Sequence, residues 1–285
     1  MLLIYKKSLN FKRIQIMKLY NINDIHKALK KIGISKNDMV YICPEIYKLG
    51  KLDGAKSKNE YIEVFFKVIS DIIGPGGTLV INTYTFQILR QNKIFEYEKT
   101  PSSSGAFSEY VRKKKNSLRS LHPVFSVCAI GKQKRNICSN NSTNNYGEGS
   151  PYQNFLDLGG KILNLGMDPW LNPFLHLAEM KAGISYKYSK LNELTYIKNR
   201  KKIKKLFSSY VRYLGLTIEF DYSNFSKEIN RRKLLKSADL GNGKIYSIRA
   251  SKYVSLLTKL LSKDQFYLLK KIPNVKRLKK IQKNI

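Results

Sequence analysis

The sequence predicts an α/β fold in which a sheet is covered by helices, and two observations carry that prediction. Apolar residues alternate between a helical spacing and short unbroken runs, giving helix, strand, helix, strand over residues 22–82. The chain has 285 residues, 42% of them apolar and 12% aromatic, which is enough to fill a substantial core without covalent staples.

The elements follow in order. Ile25, Leu29 and Ile32 share one face of a helix over 22–32, and Gly33 supplies its stop. Residues 38–42 (DMVYI) read as a buried strand and 60–73 as an amphipathic helix. Thr78–Asn82 is a second strand, entered through the turn GPGG at 74–77. Residues 126–130 and Lys161–Leu165 are further strands, ended by Gly131 and Gly166, with a polar loop over 140–145 between them. A helical run follows His176, and 186–205 is strongly basic around NRKKIKK. Val254, Leu257, Leu260 and Leu261 mark one face of a last helix before the lysine-rich end. The expected organisation is a dispensable leader over 1–16, a domain over 17–270 and a basic tail over 271–285.

The charge balance is extreme: 53 Lys and Arg face 20 Asp and Glu, a formal +33. Lys, Asn and Ile are abundant all along the chain, so part of the surplus reads as lysine at solvated positions. The rest fits an anionic ligand or an acidic membrane surface. The three cysteines are odd in number and lack CxxC spacing, which argues against a disulfide framework or a zinc site and for a reducing, cytoplasmic compartment. No apolar run approaches the roughly 20 residues of a spanning helix. An amphipathic run followed by clustered lysines predicts weak attachment of the tail to an anionic membrane surface, peripheral to the inner membrane.

The segment most informative for chemistry is LHLAE at 175–179. Residues three apart on a helix share a face, so Glu179 can orient the imidazole of His176, and a neutral imidazole held in that way is a good general base. By itself the pair more often marks a helix-surface contact or a satisfied half-buried histidine than a base. It lacks the second histidine of a zinc protease motif, so no metal is expected.

What surrounds the pair is more specific. TPSSSGAFSEYVR with RSLHPVFSVCAIG, then GEGSP and GGKILNLG, then NPFLHLAE, resembles the ordered signature of the aminoglycoside 3-N-acetyltransferase family, over about 18–269. The resemblance implies a layered α/β sandwich, with a mixed β-sheet flanked by helices, distinct from GNAT acetyltransferases. It implies acetyl-CoA as donor, an acceptor amine as nucleophile, His176 as base and Glu179 as its orienting carboxylate. It lays the pantetheine arm of CoA along Ser126, Val127, Cys128, Ala129 and Gly131. His122, presented by the following Pro123, is read as lining the donor site, and Arg119 with Lys113, Lys114 and Lys115 as meeting the CoA phosphates. A loop-shaping histidine and a solvated basic loop are the alternatives. Two departures stand out: CPEI at 43–46 replaces a His-Ser-Ser-Leu segment, and Pro173 replaces a threonine, a change that shifts any polar role to Asn172.

The charge surplus bears on the acceptor. A dedicated binder of polycations needs carboxylates, so the expected acceptor is an amino sugar carried on a nucleotide or within a surface polysaccharide. The alternative is an aminoglycoside, with antibiotic resistance as the outcome. A basic nucleic-acid or membrane-binding protein without catalysis is the reading from another class. No RNA-recognition, KH or zinc-finger signature accompanies the charge, so no specific nucleic acid partner is expected.

Overall fold

The computed structural model describes residues 18–91, 93–139 and 142–274. The expected leader and residues 275–285 of the expected tail lie outside the described residues.

The chain opens with β1 (Leu19–Tyr20), α1 (Ile22–Lys31), β2 (Met39–Pro44), β3 (Lys51–Leu52), α2 (Lys58–Ile73) and β4 (Thr78–Asn82). It continues through α3 (Gln87–Arg90), β5 (Phe95–Glu96), α4 (Ala106–Arg112), β6 (Leu118–Arg119), β7 (Val127–Gly131), α5 (Lys134–Cys138), α6 (Pro151–Asp157) and β8 (Lys161–Leu165). The last part is α7 (Phe174–Ala182), β9 (Lys187–Lys198), β10 (Lys201–Arg212), α8 (Ser223–Arg231), β11 (Lys236–Leu240), β12 (Gly243–Arg249) and α9 (Ala250–Lys263). The helix starts carry the chemistry their sequences supply. Asn21 and Asp24 close a reciprocal capping box on α1, and Ser57 and Ser150 cap α2 and α6 through their side chains.

Seven strands form one mixed sheet in the order β11-β12-β8-β2-β4-β7-β6. The three central strands β8, β2 and β4 are parallel, and the flanking pairs are antiparallel. Strand alternation along β2 divides the interior. Met39, Tyr41 and Cys43 face a core shared with α6, α7, α8 and α9, whereas Val40 and Ile42 face a second core shared with α1, α2 and α4. Helices on both faces complete the expected layered sandwich.

The basic stretch at 186–205 belongs to a long hairpin, which the sequence reading left without a structure. β9 and β10 pair in register from Lys187↔Arg212 to Lys198↔Lys201. Asn199 and Arg200 form the two-residue turn with φ of 50° and 63°, the geometry of a type I′ turn that matches strand twist. Between its middle and its turn the hairpin is anchored by Phe207 and Tyr196, which pack with Phe95, Leu121 and Val124.

Gly131, at the end of β7, has φ of 124°, and a Cβ there would collide with the Gly77 carbonyl oxygen. Gly131→Ala is therefore expected to destabilise the fold by about 2 kcal/mol or more, read as a lowered urea midpoint at unchanged m-value.

Candidate active site

In an open α/β sheet, ligands bind beyond the carboxyl ends of the parallel strands. β2 ends at Pro44, β4 at Asn82 and β8 at Leu165, and a cavity of about 420 Å³ opens there, lined by Cys43, Pro44, Glu45, Asn82 and Met167. Its walls are mostly aromatic and apolar, with Tyr84, Phe86, Phe125, Tyr146, Trp170, Leu175 and Tyr222. His176 projects into it from the first turn of α7.

The expected pair forms. His176 Nδ1 lies 2.8 Å from Glu179 Oε2, the imidazole is 39% exposed towards the cavity and the carboxylate is fully buried. Two further groups meet that carboxylate. Tyr186 Oη donates to Glu179 Oε1 at 3.0 Å, and Lys187 Nζ donates to Oε2 while standing 2.9 Å from His176 Nδ1. The backbone explains why residues eight positions apart meet. Gly183 takes the left-handed conformation (φ 67°, ψ 37°) that closes α7, and the chain doubles back so that β9 starts at Lys187 beside the helix it has left. The ring of Tyr146 packs edge-on against the imidazole, with centroids 5.6 Å apart.

Electrostatics follow from this geometry. Burial lowers the pKa of His176 below the ordinary histidine value, and the Lys187 charge lowers it further, against the opposing pull of Glu179. The first turn of a helix, where backbone N–H groups point at the side chain, also disfavours an imidazolium. Burial alone would raise the Glu179 carboxyl, but the His176 hydrogen bond and the Lys187 charge outweigh it and hold the carboxyl below its usual range. Burial likewise lowers the Lys187 ammonium, against the carboxylate that stabilises it.

The residues expected to bind the donor are placed differently. Ser126, Val127, Cys128 and Ala129 are fully buried, and none of them lines the cavity. From Val127 to Ala129 the strand lies between β4 and β6, while Gly131 ends it against Thr78 of β4. Arg119 is buried as well. Its guanidinium donates to the carbonyls of Thr100 (2.7 Å) and Thr83 (3.0 Å) and to Ser126 Oγ (3.0 Å), and stacks over Phe95. Burial lowers it to about 10, so it remains a cation committed to the protein's own carbonyls. The backbone N–H groups of Val124 and Phe125 donate to His122 Nδ1 at 3.2 Å, which fixes the ring proton on Nε2, 3.1 Å from the Ser208 carbonyl. Burial depresses His122 to about 4, so it is a neutral, fully engaged side chain that shapes its loop. Of the three lysines at 113–115, Lys114 lies over the rings of Tyr110 and Phe66.

The motif of 100–112 also has a structural role. Glu109 accepts from the Ser102 backbone N–H (2.8 Å) and pairs with Arg112 through both oxygens (2.8 and 2.7 Å). Both departures line the cavity. Cys43, Pro44 and Glu45 bring in a carboxylate, which pairs with Lys48. Asn172 Oδ1 accepts from the Phe174 N–H at 3.1 Å, so it supplies the start of α7 with the acceptor that Pro173 cannot. Sequence reasoning missed Lys187, Tyr186, Tyr146, Tyr84 and Asn82. A lysine opening a strand just after the Gly-terminated helix of the His176–Glu179 pair is the signal that could have pointed to the first.

Comparison with known proteins bears on the fold and the family. Aminoglycoside N(3)-acetyltransferase III of Salmonella sp is 25% identical over 181 residues, covering 57% of this chain. That match spans 61% of the relative's length, under two thirds of it. Among solved structures, the AAC-IIIb binary complex with CoASH superposes with a TM-score of 0.73 at 20% identity, covering 86% of this chain and 97% of that one. AAC-VIa bound to sisomicin gives 0.71 at 20% identity, covering 86% and 98%. The family model described as aminoglycoside 3-N-acetyltransferase matches residues 47–262, and the chain belongs to that family.

Proposed function

We propose that this protein is an acetyl-CoA-dependent N-acetyltransferase acting on a polyamine sugar of the aminoglycoside type, with His176 as general base. The observation that carries this reading is the His176–Glu179 pair, its carboxylate buried and its imidazole opening onto a cavity at the carboxyl ends of the parallel strands. The donor supplies an acetyl thioester, an electrophile that a protonated amine cannot attack. The task of the protein is to remove that proton. With Nδ1 held by Glu179, the other ring nitrogen of His176 is the atom that accepts it, and Glu179 stabilises the imidazolium that results. In becoming the amide the nitrogen loses two protons: one reaches the departing thiolate through His176 and the other passes to solvent, so the histidine ends each turnover neutral.

The cavity has features suited to the donor. Asn82 lines it with a side-chain amide that makes no hydrogen bond within the described residues, and Ser104 lines it with an Oγ that accepts from the Tyr84 N–H at 2.9 Å. Both suit the amides of a pantetheine arm, and the aromatic wall suits its methylenes. These residues, and not the side chains of 126–131, are assigned to the donor.

The net charge favours an anionic acceptor, but that argument does not carry into the cavity. No Lys or Arg lines the cavity among the described residues, and Glu45 contributes a carboxylate. With Glu45 paired to Lys48, the lining has no surplus positive charge to repel a cationic acceptor, and the family and the sisomicin complex of a relative in fold support one. A nucleotide-linked amino sugar would bring phosphates to a lining without cations. The attachment of the tail to a membrane stays a separate proposal, and no helix among the described residues is long and apolar enough to cross a membrane.

Thiol release from acetyl-CoA is the direct test, run across aminoglycosides, nucleotide-linked amino sugars and free amino sugars. Release is expected with the aminoglycosides, and release confined to the nucleotide-linked sugars would reverse the acceptor assignment. His176→Ala should lower turnover by ~10²- to 10⁴-fold with donor affinity nearly unchanged, measured by calorimetry with CoA. Glu45→Gln should raise KM for a multiply charged acceptor by about tenfold while leaving kcat near wild type, because a charge-assisted contact is lost and the base is untouched.

A further inference from the structure

Glu179 and His176 form a pair in the family sense, but here the carboxylate is shared. Lys187 is 4% exposed, its Nζ donates to the same Oε2 that His176 Nδ1 approaches, and it stands 2.9 Å from that nitrogen. We infer that Lys187 is a positioning residue of the proton-handling site: its buried ammonium balances Glu179, so that the carboxylate orients the imidazole without drawing a second proton onto it.

A buried carboxylate hydrogen-bonded to a histidine stabilises the imidazolium, and an imidazole that already carries two protons can take none from an amine. A buried cation touching both groups reverses that bias, because a charged ring would then sit against a like charge in a medium that screens little. The resting trio of neutral imidazole, carboxylate and ammonium is electrically neutral overall. The groups around it do not undo this balance. Tyr186 donates to the other carboxylate oxygen, Arg212 adds a second positive influence from β10, and Tyr210 and Tyr222 are neutral phenols raised by burial. Tyr210 and Phe220 place ring faces 5.6 and 5.9 Å from the Lys187 ammonium, which compensates part of its desolvation.

Proton placement gives the inference a sharp edge. Nζ and Nδ1 both approach Oε2. When both donate to it, the ring proton is on Nδ1 and Nε2 offers a lone pair. When Nζ instead donates to Nδ1, the ring proton is on Nε2 and the histidine cannot act as a base. The inference requires the first arrangement.

The experiment uses the full chain with ring-¹⁵N histidine, in which His26, His122 and His176 are the only histidines and His176→Gln identifies the signal. The wild type should show a neutral His176 protonated on Nδ1. Lys187→Met should raise the titration midpoint of His176 by about one pH unit or more, and Lys187→Arg should leave it close to wild type. The acid limb of the kcat/KM profile for acetyl transfer should move by the same amount and in the same direction. An Nε2-protonated wild type, or a Lys187→Met variant that loses turnover while the titration and the acid limb stay fixed, would overturn the assignment. The wild-type tautomer decides the matter even where Lys187→Met does not fold. The inference rests on the acetyl-transfer reading for its kinetic arm alone. A protein that transfers no acetyl group but titrates as described would sink that reading and leave the role of Lys187 standing.

Discussion

A single buried charge organises the cavity end of this molecule. Glu179 is fully buried on α7, and a carboxylate in that position is tolerable only when its oxygens are met by donors. Three groups meet them: an imidazole from the same helix, and a phenol and an ammonium from the strand that follows. That requirement explains local choices that otherwise look unrelated. Gly183 ends α7 in a left-handed turn, β9 starts at Lys187, and the hairpin β9–β10 is anchored against the body by Tyr196 and Phe207. The site therefore depends on the hairpin as much as on the helix.

The parallel core provides the other half. β8, β2 and β4 run in one direction, so their carboxyl ends open a cavity at one edge of the sheet, and α7 is packed there by Phe174, Leu175, Leu177 and Ala178. His176 is carried to the cavity wall on an element whose Phe174, Leu177 and Ala178 are fully buried, so the imidazole is held by a packed scaffold. A charged network closed around its rear nitrogen leaves only the cavity side for proton exchange.

Much of this was legible in the sequence. Over 22–82 the glycines and apolar periods mark the elements to within two or three residues, because those helices and strands bury one face or both. The His176–Glu179 pair was legible from spacing and motif order. The hairpin was not. Residues 201–206 of β10 are all exposed and rich in lysine, so the two faces of that stretch carry no contrast to read. Lys187 was hidden for a related reason, being one of 53 basic residues, and only the turn at Gly183 singles it out. The motif residues Arg119, His122 and Ser126 are expected donor contacts on the family resemblance alone, and their side chains bond one another and the backbone, which spacing in the sequence does not reveal. Net charge describes the solvated surface and not the lining of one cavity, so it does not by itself select an acceptor.

The central claim is that the acceptor amine gives its proton to His176 in the cavity at the ends of β2 and β4. A crystal structure of the protein with CoA and an aminoglycoside tests it most directly, since it shows which group the reacting nitrogen faces. The account predicts that nitrogen within about 3 Å of His176 Nε2, with Glu179 still on Nδ1. An acceptor nitrogen facing any other titratable group, with His176 pointing away from it, would contradict the account.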